Sequence, residues 1–223
     1  MITEMEKVIF DTNTLKCDNS SQYFLGGRSE LEKFGKISKI IIPDLVIEEI
    51  KCQKWRNLSS KRKSFFDNIF HKILSVNETD TKNFDIGAFI KEQEDNENIS
   101  YEVIKLTDFS ILSSIRELAL WNKAPFSKKS DKGFKDTYIF FTVLEFLKSN
   151  PEENVYFVTK DERLKEAFAL QKKVIVVSDF DDFQRYRLSY FREPYFVEKL
   201  CEEVSKDISS EYIRDAWLNL NSN

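Results

Sequence analysis

Apolar residues in this chain gather in short runs closed by turn-forming residues, with helix-period stretches between them. Val8, Ile9 and Phe10 form the first run, and Asp11, Thr12 and Asn13 end it. A run this short predicts a buried strand leading into a loop. Residues 39–43 (KIIIP) predict a second strand stopped by Pro43, and 101–106 a short alternating one. Residues 155–160 (VYFVTK) and 173–178 (KVIVVS) add two more. Between them, helical patterns cover 30–34, 44–51, 65–74, 110–120 and 161–170. Residues 138–146 are apolar nearly all round, which places that helix centrally. Strands alternating with helices predict an α/β fold with a doubly wound, mainly parallel sheet. The expected organisation is a single domain over 1–223, with a helical insertion at about 52–131 and C-terminal helices at about 184–223.

Composition narrows this picture. The 223 residues are 41% hydrophobic and include twenty Phe, enough for a real core. A net charge of −4 gives no global nucleic-acid footprint, so any such binding must come from a local patch. Residues 51–63 offer one: Lys51, Lys54, Arg56, Lys61, Arg62 and Lys63, with Trp55 and no acid. Either it is a solvated helix face or it contacts phosphates. Residues 124–132 form a second basic, polar segment. Three widely spaced cysteines and a single histidine, His71, argue against a zinc site and fit a reducing cytoplasm. His71 stands among apolar neighbours and reads as a packing residue. The N-terminus has no signal-peptide pattern, and no apolar run approaches the ~20 residues of a spanning helix. The expected location is cytoplasmic, with no membrane partner.

The candidate chemistry lies in acids. In open parallel sheets, ligands sit beyond the carboxyl ends of the strands. Asp11 and Asp161 follow strand-like runs, one of Glu48 and Glu49 can look towards the same edge, and Asp136 opens the central helix. Four carboxylates gathered there repel, at roughly 4 kcal/mol per pair at ~4 Å and an effective dielectric of 20. Hard divalent cations relieve such repulsion through oxygen ligands. Two of them ~3.5–4 Å apart can activate water and stabilise a leaving oxygen in phosphodiester cleavage. Thr12, Asn13 and Thr159 would orient the acids by hydrogen bonds. Lys54, Arg56, Lys132 and Lys135 would contact substrate phosphates, and Trp55 or Tyr101 would stack a base. Asp179, Asp181 and Asp182 read as loop and cap acids.

The motifs DTN (11–13), IPDLVIEEI (42–50), KGFKD (132–136) and VTKD (158–161) resemble, in order, those of the PIN domain, a family of metal-dependent ribonucleases. GFKD before a long aromatic helix is most similar to larger bacterial PIN-like proteins. The resemblance implies a PIN-like fold and carries the catalytic and metal-binding roles onto Asp11, Glu49, Asp136 and Asp161. Glu49 is chosen over Glu48 because Ile50 follows it. The implied cofactor is Mg²⁺ or Mn²⁺, and the implied activity is endoribonucleolytic hydrolysis of RNA, in keeping with a toxin or defence effector. RNA is the expected partner, and an inhibitory protein and a second copy of the chain are compatible partners. The segment 51–131 is longer than in compact PIN toxins. The alternative is a catalytically inactive PIN-like module that binds RNA or protein. A phosphoacceptor receiver domain ranks last, because VIFDTN carries one acid where a pair is expected.

Overall fold

A computed structural model describes residues 5–16, 23–74, 76–129 and 132–190. It divides the chain into one unit over 1–180 and a second over 181–223. In the first unit, strand β1 (Glu6–Phe10) leads through a 3₁₀ turn at Thr12–Thr14 to helix α1 (Arg28–Gly35). Strand β2 (Ser38–Pro43) passes directly into helix α2 (Asp44–Asp67), followed by α3 (Ile69–Ile73), α4 (Thr79–Asn83) and α5 (Ile86–Asp95). Strand β3 (Glu102–Ile104) and helix α6 (Leu112–Leu120) precede α7 (Phe134–Ser149). Strand β4 (Val155–Val158), α8 (Glu162–Phe168) and β5 (Val174–Val177) complete it.

The five strands form one parallel sheet in the order β3-β2-β1-β4-β5. β1 pairs with β2 on one side and β4 on the other, so the winding reverses between β1 and β4. This is the doubly wound sheet the alternating pattern predicts. Val8, Ile9, Phe10, Ile40, Ile41, Ile42, Val155, Phe157 and Val158 are all buried, as strands covered on both faces must be. Aromatic edges tighten this core: Phe10 meets Phe34 at 5.1 Å and Phe157 meets Phe168 at 4.6 Å between centroids.

Two elements depart in detail from expectation. Residues 44–51 begin a helix that runs on to Asp67 as a single 24-residue rod, because nothing between Asp44 and Asp67 is Gly or Pro. Only Val46, Ile47 and Ile50 on it are buried, so the remainder carries its charge in water. The expected insertion at 52–131 is also not purely helical. Its β3 extends the sheet, with Ile41 opposite Glu102 and Pro43 opposite Ile104. Helix α9 (Phe180–Tyr190) carries Asp181 and Asp182 in its first turn, while Asp179 precedes it. Most of the expected C-terminal helices at 184–223 lie outside the described residues, as do Cys17, Cys201, Ser130 and Asp131.

Candidate active site

The site begins at the reversal between β1 and β4. Register pairs Phe10 with Val158, and the next residues continue the ladder, Asp11 N donating to Val158 O at 3.1 Å. Asp11 therefore ends up beside Thr159. Thr159 Oγ1 donates to Asp11 Oδ2 at 2.8 Å, and Thr12 N donates to Asp11 Oδ1 at 2.7 Å. Asp11 is 3% exposed. Burial, only partly offset by these bonds and reinforced by the charges of Asp136 and Asp161, pushes its carboxyl up to about 6.

Asp161 follows β4 and caps α8, its Oδ1 accepting from Arg163 N at 2.8 Å and Leu164 N at 2.9 Å. Its own N–H donates to Thr159 Oγ1 at 3.0 Å. Asn13 spans the same two loops. Its Nδ2 donates to Thr159 Oγ1 at 3.2 Å, and its Oδ1 accepts from Lys160 N at 3.2 Å. The three residues expected to orient the acids thus share one hydrogen-bond network with Asp11, Asp161 and Glu49.

Glu49 sits on the second turn of α2. Thr12 Oγ1 donates to its Oε2 at 2.9 Å, and Lys135 Nζ lies 2.8 Å from its Oε1. Burial alone would raise Glu49, but Lys135, Thr12 and Gln53 together hold its carboxyl below the usual range. Glu48 instead pairs with Lys51 at 3.1 Å. Asp136, in the first turn of α7, is half-buried and makes no hydrogen bond or ion pair among the described residues. Burial first, then repulsion from Asp161 and Glu49, pushes it up to about 6 despite Lys135 nearby.

α7 is set by Gly133, whose φ of +126° is left-handed; a Cβ there would lie 2.6 Å from Phe126 Cα and 2.8 Å from Pro125 O. Buried Thr137 and Thr142 satisfy their hydroxyls on Gly133 O and Tyr138 O, which lets a nearly all-apolar helix carry them.

All four candidate acids thus lie at the carboxyl edge of the sheet, each electrostatically coupled to another. Among the described residues, no three His, Cys, Asp or Glu side chains converge as they stand into a ready-made metal cage. Glu49 is turned to Lys135, and Asp161 spends Oδ1 on its helix cap. The donor chemistry is nevertheless all oxygen and anionic, with Asp136 making no ion pair among the described residues although Lys135 lies near it. All-oxygen, anionic donors are of the kind that hard divalent cations take.

The chain matches the family model of the PIN domain over residues 8–164. It belongs to the PIN-domain family. The matched segment opens in β1 of this PIN domain and closes in α8, so it contains all four acids. Members of the family are typically nucleases, and PIN domains generally use divalent metals. No curated protein and no solved structure matches the chain.

The basic residues around this PIN-domain site divide. Lys54 Nζ is held by Tyr23 O at 2.7 Å and Gln93 Oε1 at 3.0 Å, so it serves the packing of α2 on α5. Arg56 is exposed and lies seven residues from Glu49, on the same face of α2 as Glu49 and Gln53. Lys132 is exposed, and Lys135 bridges to Glu49. The expected base-stacking residues fare differently. Trp55 lines a groove with Glu94, and Tyr101 is raised by burial and by Glu94 and Glu97. Lys51 and Lys91 line the Trp55 groove as well, so both acids and cations stand beside it. His71 packs against Phe65 at 4.0 Å between ring centroids, as a packing residue should. Arg163 was invisible in the sequence. Its Nε donates to Phe126 O at 2.7 Å and its Nη2 to Asn122 O at 3.0 Å, tying α8 to the loop before α7. At the start of a charged helix, DERLKE, nothing distinguishes it from a solvated arginine.

Proposed function

We propose that this protein is a metal-dependent endoribonuclease that hydrolyses RNA phosphodiester bonds. The observation that carries the reading is Asp136: a half-buried carboxylate with no hydrogen bond or ion pair among the described residues, repelled by Asp161 and Glu49 beside the β1–β4 reversal. Keeping that arrangement costs stability unless a cation answers it. Asp11, Glu49, Asp136 and Asp161 would hold Mg²⁺ or Mn²⁺, and that ion would supply an activated water and neutralise charge on the phosphate. Thr12 and Thr159 fix the Asp11 carboxylate so that both its oxygens are already oriented. Asn13 holds the β1 and β4 loops at constant separation. Lys135 balances Glu49 and stands ready to exchange that partner for a substrate phosphate, with Arg56 and Lys132 contacting the backbone on either side. A toxin or defence role and silencing by an inhibitory partner are compatible with this activity, as is a homodimer in the cytoplasm.

The test is cleavage of an end-labelled RNA oligonucleotide in EDTA, Mg²⁺ and Mn²⁺ by wild type and Asp136→Asn. Cleavage that needs the metal and disappears in the variant supports the reading. Wild type inert under every condition, while still binding the RNA, would instead favour a non-catalytic PIN module. The Glu49–Lys135 ion pair is the observation that speaks for that second reading, since it occupies one of the four acids.

A further inference from the structure

We propose that the loop 121–135 is a base-stacking platform, on which Phe134 and Trp121 take unpaired bases of the substrate while Lys128, Lys129 and Lys132 contact its phosphates. The assignment deepens the nuclease reading and rests on it.

The loop is tied to α8 by Arg163 and closed on itself by two further contacts. Arg163, two residues beyond Asp161, donates to Phe126 O and Asn122 O. Gly133 packs directly on Pro125 and Phe126. Ser127 N closes the loop on Lys132 O at 2.8 Å. Phe126 anchors it in the core at 4% exposure. A loop held this way could bury its other aromatic residues, yet it does not. Trp121 is 70% and Phe134 55% exposed, and Leu120 beside them is also exposed. Phe134 is the first residue of α7 and Asp136 the third, a rise of about 3 Å along the helix. The ring and the acid thus share the first turn of α7 but leave it on different faces, so a strand stacked on Phe134 would have to wrap the start of the helix to reach Asp136.

Charge says what the rings face. The segment 121–135 carries five lysines (Lys123, Lys128, Lys129, Lys132 and Lys135) against one acid, Asp131. The chain as a whole is net negative, so this concentration is local. Lys128, Lys129 and Lys132 are exposed. By contrast, the basic run on α2 is partly spent within the protein: Lys51 on Glu48 and Glu94, Lys54 on Tyr23 and Gln93, and Arg62 on Phe84 O. Exposed aromatic rings among lysines form the surface that single-stranded nucleic acid binds, with bases stacked on the rings and phosphates on the cations. A base in a duplex hides both its faces, so the platform selects unpaired segments.

The experiment measures binding of a labelled unpaired RNA 12-mer, and of the same sequence locked in a duplex, in EDTA to prevent cleavage. Wild type, Phe134→Ala, Trp121→Ala, Phe134→Tyr, Trp121→Phe and a Lys128→Ala/Lys129→Ala double variant are compared. Melting curves confirm that each is folded, which the exposure of all four positions favours. Each alanine variant of an aromatic should weaken unpaired-RNA binding roughly 10-fold, the loss of one base stack, and the aromatic replacements should restore it. The lysine variant should lower the salt dependence by a slope of about 1.4, two phosphates at roughly 0.7 each. Wild type should bind the duplex at least 10-fold more weakly. Alanine variants that bind as tightly as wild type, or equal affinity for duplex, overturn the platform. If those same variants leave binding intact while wild type cleaves with metal, only the platform fails. Binding lost in the alanine variants, with no cleavage by wild type under any metal, sinks the nuclease reading and leaves the platform standing.

Discussion

Thr159 Oγ1 donates its single proton to Asp11 Oδ2 at 2.8 Å while accepting from Asn13 Nδ2 and from the backbone N–H of Asp161. One hydroxyl thereby sets the position of an acid on β1, an amide on its turn and the start of α8. The bond also stabilises the charged form of Asp11 against the burial that opposes it. Thr159→Val keeps the shape and removes the hydroxyl. The Asp11 carboxyl should then rise further above 6, and the acid limb of a pH–rate profile should move to higher pH, with Thr159→Ser restoring it. A profile identical to wild type would show that Thr159 only packs.

The raised carboxyls of Asp11 and Asp136 also predict how stability depends on pH without metal. Both groups hold a proton up to about 6 in the fold but only to about 3.8 in the unfolded chain. Between those values the folded state binds more protons, so stability falls as pH rises through the window and is flat above it. Asp11→Asn removes its share of this slope and should leave the metal-free protein more stable at pH 7.5 by on the order of 3 kcal/mol at most, the shift from 3.8 to about 6 taken at 1.4 kcal/mol per pKa unit. Asp136, more exposed, should contribute less. Denaturant unfolding in EDTA at pH 5 and 7.5 reads both effects. A wild type whose stability rises from pH 5 to 7.5, with the variant unchanged, would mean that neither burial nor repulsion raises these carboxyls in the fold.

Divalent cation should reverse that slope. At a concentration ~100 times its dissociation constant, Mg²⁺ or Mn²⁺ stabilises by about 2.7 kcal/mol, several degrees in Tm for a chain of this length. The shift should vanish in Asp11→Asn and Asp136→Asn and persist in Glu48→Gln, whose carboxylate pairs with Lys51 away from the site. An equal shift in all variants would place the cation elsewhere on the protein.

These variants also show why part of the site could be read from sequence and part could not. Asp11 and Asp161 were legible because a period-two or continuous apolar run that stops at an acid identifies a strand end, and strand ends in a parallel sheet share an edge. Asp136 was legible as the opening of an apolar helix, and Glu49 over Glu48 only through the family pattern. What decides Lys54 against Arg56 is helical phase along a 24-residue rod, and that rod's length was not evident while 65–74 read as a separate helix. Arg163 and the packing of Gly133 on Phe126 are contacts between segments distant in sequence, with no local signature.

That phase makes Lys54 and Arg56 separable. Lys54→Ala removes bonds to Tyr23 O and Gln93 Oε1 and should cost about 1 kcal/mol of stability with RNA affinity unchanged. Arg56→Ala should leave stability within about 0.5 kcal/mol and lower the salt slope of RNA binding by about 0.7, one phosphate contact. Unfolding curves and binding isotherms at several salt concentrations distinguish the two. Exchange of the outcomes between the variants would mean that α2 presents the opposite face to substrate.

Gly133 joins the fold to the chemistry most directly, because its left-handed φ and its contact with Phe126 fix where α7 begins and so where Asp136 points. Gly133→Ala meets both penalties: a φ of +126° that L-residues rarely adopt, and a Cβ within 2.6 Å of Phe126 Cα and 2.8 Å of Pro125 O, backbone atoms that cannot swing aside. Strain of this kind costs roughly 1–3 kcal/mol, before the displaced loop is counted. The variant should therefore unfold several degrees lower, and its metal-dependent cleavage and its unpaired-RNA binding should fall together, since Asp136, Phe134 and the loop packed on Gly133 all shift. Wild-type cleavage and binding at a temperature where the variant is fully folded would mean that the start of α7 positions neither the acid nor the substrate.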